Sequence, residues 1–487
     1  MMGRTSSPNN PIISPQDWPL WWRITVLLNV SVYTMLGNMF AAGITPLFAL
    51  IMEDLKVNTV KVSTLSSYAL LALGLSNLFA VVAAKYIGKR YAILTSIAVF
   101  TAANAWAAYT TSFDSLLATR FVGGLAGGFI EALGPEMVVE TFQEKRLASA
   151  MVVYVAFMAG GSALGPVLAG LIGTGTGEWQ WYFKFLAIFS GTTTLACILM
   201  LPETTTDSLS VSYGDRPEAP VSKTDVEIVE HSETNSNPQQ EVMLWDLWVS
   251  RSFKVRSSDW SRDQNALQYL YMPFLTLYHP AVLVTIIVFG LTIGWTVVCS
   301  IVFSNVFQEP PMLWTARAVG LFSIAPLIGL IAGLPIGGIL ADNLSARSAK
   351  RNSGFHVPES RLLLVTIGGV FSPAGALMIG LTMNYHTHWI GPAIGWALLS
   401  LGLTASANIL LTYAVDSDPY RAAHIALLVN VVKNLLAFGV SFRSMDWYLR
   451  DGPLKQFGAM AGGLWASYLL VIPLYFFGAK IRARFYS

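Results

Sequence analysis

The sequence predicts an all-α membrane protein whose twelve transmembrane helices form two six-helix bundles. Composition is the first observation: of 487 residues, 54% are hydrophobic and 12% are charged, and that charged share is about half the average for a soluble domain. The second observation is the spacing of apolar runs long enough to cross a bilayer, which takes about 20 residues. Six such runs, a long polar segment and six more runs follow one another along the chain.

These runs set the predicted domain boundaries. Trp and Tyr near the span ends support them, since both residues favour the membrane interface. The predicted spans are 24–50, 65–84, 92–109, 116–139, 150–172, 183–201, 281–307, 318–341, 362–383, 390–411, 425–440 and 458–477. The predicted regions are an N-terminal tail (1–23), a first bundle (24–201), a central loop (202–278), a second bundle (279–478) and a C-terminal tail (479–487).

The distribution of Lys and Arg predicts the orientation of the chain. Basic residues near span ends are retained on the cytosolic side, and they concentrate in both tails, the central loop and the even-numbered loops. Both tails and the central loop are therefore expected in the cytosol. The first half of that loop is rich in Ser, Thr, Asp and Glu, which predicts disorder. Its second half mixes Trp with basic residues, which is typical of a segment on the membrane surface.

Several function classes are disfavoured. The formal net charge of +2 is too small to indicate a nucleic-acid partner. No phosphate-binding glycine loop of the G-x-x-x-x-G-K-[ST] type is present. Cys197 and Cys299 lie in apolar runs and indicate no disulfide framework. His386, His388 and His424 lack metal-ligand spacing, so we expect no metal site.

In the first span, Asn29 and Tyr33 lie one turn apart, and Asn408 lies in the tenth span. Polar side chains near the bilayer midplane often line transport sites. We expect these three to offer hydrogen bonds to a ligand. The alternative is that each one joins neighbouring helices.

A loop pattern occurs twice and indicates an internal repeat. The loop after the second span carries Gly88, Lys89 and Arg90, and the loop after the eighth carries Gly338, Asp342 and Arg347. They read as two decayed copies of G-x-L-A-D-x-x-G-[RK]-[RK]. Many secondary transporters consist of two related bundles with the site between them. We expect both loops to act as cytosolic gates, although basic residues there also satisfy positive-inside anchoring alone.

The fourth span contains Arg120 and Glu131, which are costly in hydrocarbon and are rarely kept there without use. They are eleven positions apart, close to three helical turns, so both side chains leave the helix in nearly the same direction. Glu131 is the best proton-carrying candidate, because Glu136 and Glu140 lie nearer the cytosol. Alternatively, Arg120 extends to the outer interface and Glu131 makes a structural hydrogen bond to a neighbouring span.

The fifth span reads G-x-x-x-G-P-x-x-x-G over Gly161, Gly165, Pro166 and Gly170. A glycine ridge lets helix backbones approach closely where lipid gives no hydrophobic drive for association. The pattern predicts a helix that packs tightly, bends and moves during transport.

In the eleventh span Lys433 lies between Asn430 and Asn434. An ammonium group at that depth requires a carboxylate, a polar cavity or a bound anion. Lys433 is therefore a candidate for the substrate or proton pathway. A salt bridge to Asp416 or Asp418 at the end of the tenth span is the competing interpretation.

With these motifs the chain resembles the major facilitator superfamily, in the twelve-span drug/proton antiporter branch common in fungi. The resemblance covers nearly the whole chain. It departs from the usual pattern at Lys85 (for aspartate), Gly123 (for glutamine), Ala169 (for glycine) and Ser345 (for glycine). The matching motifs are the two loops above, R-x-x-x-G-x-x-G-G at Arg120, Gly124, Gly127 and Gly128, the fifth-span glycines, Pro273-Phe274, Arg351-Asn352, Gly354, Pro358-Glu359, Arg361-Leu362 and Tyr413 to Asp416.

The resemblance implies the major facilitator fold and a non-enzymatic, secondary active transporter. Its expected activity is proton-coupled efflux of a drug, mycotoxin or other secondary metabolite by alternating access, driven by the proton gradient without a cofactor. We expect a monomer in the cell membrane whose partners are a small-molecule substrate, protons and lipid. The alternatives are a proton-coupled importer of a nutrient such as a vitamin or organic acid, and a sensor that signals through the central loop.

Overall fold

The computed structural model describes residues 15–204, 270–341, 343–344, 347, 358–418 and 421–486. Within these ranges, twelve helical segments are long and apolar enough to cross a membrane. Asp342, Ser345 and positions 205–269 of the predicted central loop lie outside them. The spans are α1 Leu20–Gly43, α2 Thr59–Ile87, α3 Lys89–Ala108, α4 Phe113–Thr141, α5 Glu144–Thr176, α6 Gln180–Met200, α7 Pro280–Gln308, α8 Ala316–Phe322 with Ile324–Pro335, α9 Leu362–Asn384, α10 Ile390–Ser417, α11 Ala422–Phe442 and α12 Ser444–Leu469.

Three of the spans are interrupted. After Gly43, α1 passes through a 3-10 turn, Thr45–Leu47, into a short helix, Phe48–Leu55; Pro46 in that turn has no N–H to continue the ladder. The two parts of α8 lead into a π-helical turn, Ile336–Leu340. Gly452 breaks α12 with φ of 76°, a conformation that favours glycine. A final helix, Val471–Tyr486, follows α12 through most of the predicted C-terminal tail.

Each set of six helices has its own apolar core. In the first bundle, the buried rings of Tyr33 and Phe100 lie 5.9 Å apart. In the second, Phe303 and Trp396 lie 5.3 Å apart. The predicted fold class is confirmed: an all-helical membrane protein with twelve spans in two six-helix bundles.

Within each set of six, short connections make successive spans antiparallel, and Gln308 at the end of α7 bonds to Pro46 just after α1. Therefore α1 begins and α12 ends on one side, here the terminus side; the other is the opposite side. The bundles meet where α2 packs on α11 and α5 packs on α8. Gly170 of α5 and Gly320 of α8 bring two backbones together: a Cβ on Gly320 would lie 2.5 Å from the Pro166 carbonyl oxygen. This interface positions the polar groups described next.

Candidate functional site

An ion pair joins the two bundles near the middle of their spans. The Lys433 ammonium on α11 lies 2.6 Å from Oε1 of Glu131 on α4. Asn434 Nδ2 donates a hydrogen bond of 2.9 Å to the other carboxylate oxygen. The side chains are 9% exposed for Lys433 and 19% exposed for Glu131. Both oxygens of a largely buried carboxylate are thus bound by residues of the other bundle.

Glycines on α2 and α4 let α2 pack closely on both α4 and α11. A Cβ on Gly74 would lie 3.2 Å from Asn434 Cβ, and a Cβ on Gly128 of α4 would lie 2.8 Å from the Leu73 carbonyl oxygen. Helix α2 therefore contacts α4 and α11 one turn away from the ion pair, toward the opposite side. Asn77 follows Gly74 by one turn and so lies at the depth of the ion pair; it is fully buried, and neither polar atom of its side chain has a hydrogen-bond partner among the described residues.

Asn77 is a residue that the sequence interpretation missed. An asparagine inside the second apolar run was a usable signal, since polar side chains at that depth are costly. The pairing of Lys433 also differs from the alternative interpretation. Asp416 lies 3.3 Å from Arg361, and Asp418 lies 3.9 Å from Arg421. Lys433 instead has Glu131 as its carboxylate and the Phe289 ring centroid at 5.4 Å.

Arg120 lies in a different environment from Glu131. It is fully buried and donates to three backbone carbonyls: Phe40 at 2.6 Å, Ala41 at 3.0 Å and Leu65 at 3.3 Å. Its guanidinium carbon lies 4.0 Å from the Phe40 ring centroid. Because Phe40 and Ala41 precede the break in α1, Arg120 satisfies carbonyls that the break leaves without helical donors. It does not extend to the outer interface.

The polar residues predicted for a ligand site occupy separate places. Tyr33 is buried in the first bundle, 3.1 Å from Ser96 Oγ, and donates to the Ala126 carbonyl at 3.1 Å. Asn29 donates to the Thr25 carbonyl at 2.8 Å, within its own helix. These bonds join or stabilise helices of one bundle. Asn408 is exposed on α10.

The loop between α2 and α3 forms a charged cluster on the terminus side. Gly88 has φ of 88° and faces Glu203, which accepts from the backbone N–H of Lys89 at 3.3 Å and of Arg90 at 3.1 Å. Glu203 thereby caps α3, as an acid at a helix N-terminus does. The Lys89 ammonium binds Glu140 and lies 2.8 Å from Glu136. Acids of α4 thus surround this basic loop, although Lys85 stands where an aspartate was expected.

The second copy of the loop pattern follows the π-helical turn. Gly338 lies in that turn with open space where a Cβ would be. Arg347 is exposed, and Asp342 is outside the described residues. Arg361, just before α9, and Asp416 of α10 form an ion pair on the terminus side of this bundle.

The fifth-span glycines contact two different partners. Gly161 faces the Met35 carbonyl, and a Cβ on Gly165 would lie 2.8 Å from Met39 Cα, so both pack on α1 of the same bundle. Gly170 faces the Ala316 carbonyl of α8, in the other bundle. Pro166 lies between these contacts, inside α5.

Uncharged hydrogen bonds join the bundles on the opposite side, which the sequence interpretation did not predict. Asn305 Nδ2 donates to Ser63 Oγ at 3.1 Å, and Ser441 Oγ donates to Ser67 Oγ at 2.9 Å. Gln308 bonds to both the Pro46 carbonyl, at 2.7 Å, and the Ala49 amide, at 3.0 Å. Uncharged polar residues of this kind do not stand out in the sequence, so only the structure shows that they pair across the interface. Among the described residues, no group of three His, Cys, Asp or Glu is placed to hold a metal ion.

Two six-helix membrane bundles with polar groups between them are typical of secondary transporters, and the comparisons identify the family. The Major Facilitator Superfamily model matches residues 30–441. The chain belongs to this superfamily, and it is therefore a transporter and not an enzyme.

Individual relatives agree with this assignment. An uncharacterized transporter of Schizosaccharomyces pombe is 25% identical over 479 residues, which cover 97% of this chain and 91% of that protein. Efflux pump FUB11 of Gibberella fujikuroi is 26% identical over 400 residues, covering 82% of this chain and 65% of the pump. The fold is similar to the xylose transporter XylE of E. coli in a partially occluded inward open conformation. The two structures align with a TM-score of 0.63 and 12% sequence identity, and the alignment covers 94% of this chain and 98% of the XylE chain.

Proposed function

We propose that the protein is a secondary active exporter, which expels a small organic molecule such as a drug, mycotoxin or other secondary metabolite in exchange for protons. The ion pair between Glu131 and Lys433 is the observation that carries this proposal. It links the bundles through groups whose charge depends on a bound proton. Its strength therefore depends both on protonation and on the relative position of the bundles.

Alternating access requires that contacts on one side open while contacts on the other side close. Among the described residues, hydrogen bonds between the bundles, including those of Asn305 and Gln308, hold the opposite side closed. If both termini are cytosolic, as the basic residues predict, the side that these bonds close faces away from the cytosol. A cytosolic molecule then reaches the pair, and the bundles rock to release it outside.

The efflux pump among the relatives supports the direction of transport. The proton gradient supplies the energy in place of a cofactor, and the cell membrane is the site of action. Because Glu131 and Lys433 are in contact, the charge of each acts directly on the other. The pair, more than either residue alone, is the coupling centre.

The test compares host cells that produce the wild-type protein, Glu131→Gln or Glu178→Gln, the last being an exposed acid away from the interface. Mass spectrometry of cell extracts and medium measures which small molecules leave the cells. We expect wild-type and Glu178→Gln cells to export the same compounds, and a protonophore or Glu131→Gln to stop that export. Identical profiles with and without the protein, or export that survives the protonophore, contradict the proposal.

A further inference from the structure

The two members of the central ion pair are unequally accessible. The Glu131 side chain is about twice as exposed as the Lys433 side chain, at 19% against 9%. Lys433 also lies against the Phe289 ring, at 5.4 Å, and an aromatic face attracts cations. A ligand that enters between the bundles therefore meets an accessible acid and an aromatic ring. Both features favour a positive charge.

Asn77 adds an unpaired polar group to the same layer. It follows Gly74, which packs on α11, by three positions, and Glu131 follows Gly128, which packs on α2, by three positions. Helices α2 and α4 both run from the opposite side to the terminus side, so these steps lead to the same depth. The Asn77 amide is buried without a partner among the described residues. A buried amide of this kind gains free energy when a ligand supplies the missing hydrogen bond.

From this layer we infer that the cargo is an organic cation with N–H donors, which displaces Lys433 from Glu131 and bonds to the Asn77 amide oxygen. The inference rests on the proposed function and names its substrate class. It also makes Lys433 the group that releases the coupling proton. One N–H bond of the ammonium breaks, the electron pair stays on the amine nitrogen, and the proton passes to water on the terminus side.

The proton balance explains why the charge of the cargo matters. A cation at Glu131 leaves a buried ammonium without a carboxylate, which is costly, so Lys433 loses its proton. Cargo and proton then exchange, as in an antiporter. An anion at Lys433 would instead leave Glu131 without its cation, and the carboxylate would take up a proton. Cargo and proton would then travel together, which is the opposite coupling.

Other charged groups on the helices that pack against α11 do not replace this pair. On α4, Arg120 binds backbone carbonyls. On α10, Asp416 binds Arg361. The positive charge of Lys85 on α2 acts electrostatically on His424, which lies near the terminus-side end of α11. Glu131 is the carboxylate in contact with Lys433 in the described structure.

The experiment uses three probes with one phenyl ring and different charge: phenethylammonium, phenethyl alcohol and 3-phenylpropionate. Thermal shift of the purified full-length protein measures binding, and an indicator dye in weakly buffered solution measures proton release. We expect phenethylammonium to bind and to release up to about one proton per protein. Its affinity should then rise about tenfold for each unit by which the pH is raised. Stronger binding of 3-phenylpropionate, equal binding of the alcohol, or no binding of phenethylammonium overturns the inference.

Variants separate a binding role from a structural one. Glu131→Gln should abolish proton release, and Asn77→Ala should weaken phenethylammonium binding about tenfold, the value of one lost hydrogen bond. Asn104→Ala removes another buried amide, which bonds within α3, and should leave the affinity unchanged. Equal affinities for Asn77→Ala and wild type contradict the role of Asn77.

Export from cells separates a failure of this inference from a failure of the proposed function. If cells export anions in a proton-dependent way, the proposed function stands and this inference fails. If export does not depend on the proton gradient, the proposed function itself fails.

Discussion

At the scale of single residues, the Glu131 and Lys433 side chains depend on each other. Removing one partner of a buried ion pair leaves an uncompensated charge, which costs about 3–5 kcal/mol, whereas removing both charges is often nearly neutral. We expect Lys433→Met to lower the melting temperature of the purified protein, and Glu131→Gln combined with Lys433→Met to recover most of the loss. Differential scanning fluorimetry measures the effect. A double variant as unstable as the single one would show that the pair does not form.

Arg120 gives a second prediction at this scale. Its three carbonyl acceptors lie at the break in α1 and on α2, and a lysine ammonium does not match the planar fork that binds them. Arg120→Lys should therefore destabilise the protein by about 3 kcal/mol, since at least one buried carbonyl loses a charged donor. Chemical unfolding of the purified variant measures the change. Arg317→Lys, in an exposed position on the opposite side, is the matched control and should have no effect.

The sequence identified these charged residues but not their partners. Arg120, Glu131 and Lys433 were recognisable because charges inside apolar runs are unusual. Glu131 and Lys433 are 302 positions apart, in different bundles, so no local pattern connects them. The helical spacing of Arg120 and Glu131 predicted a shared direction. The structure gives them different neighbours, because the break in α1 offers carbonyls to one and α11 offers an ammonium to the other.

At the scale of elements, the glycines of α5 contact two different helices, α1 of the same bundle and α8 of the other bundle. A Cβ on Gly165 would meet the α1 backbone at 2.8 Å, while a Cβ on Gly170 would meet the α8 backbone. Overpacking of this kind costs about 1–3 kcal/mol. We expect Gly165→Ala to lower thermal stability, and Gly170→Ala to slow transport more than it lowers stability. Gly160→Ala, which has open space, is the control; equal effects of all three would contradict this division.

Element positions were largely predictable, because apolar length is a strong signal for a membrane span. Each of the twelve predicted runs overlaps a helix of the structure. Interruptions were harder to predict. Pro46 and Gly452 break their spans, yet Pro135, Pro166 and Pro373 lie inside continuous helices. Membrane helices tolerate proline where neighbouring groups compensate for the lost backbone bond, and that depends on packing and not on local sequence.

At the scale of the whole molecule, composition and the spacing of apolar runs predicted the layout of six spans, a loop and six spans. They did not predict which side of the interface between the bundles is closed. Which side of the interface is closed depends on pairs such as Asn305 with Ser63, 242 positions apart. The two sides also differ in chemistry. The terminus side carries ion pairs within each bundle, at Lys89 and at Arg361. On the opposite side, most hydrogen bonds between the bundles in the described residues are neutral and break at little cost in water; the exception is Thr59 Oγ1, which donates to the Glu309 carboxylate at 2.9 Å.

The last prediction tests whether this neutral contact must open during transport. Ser67 and Ser441 face each other across the bundles with their hydroxyl oxygens 2.9 Å apart, and a disulfide requires Cβ atoms about 4 Å apart. Ser67→Cys combined with Ser441→Cys should cross-link under mild oxidation, and the linked protein should lose at least about tenfold in transport because the opposite side cannot open. Dithiothreitol should restore it. The two single variants are matched controls and should transport normally in both conditions. Normal transport by the cross-linked protein would show that the bundles do not separate at this contact.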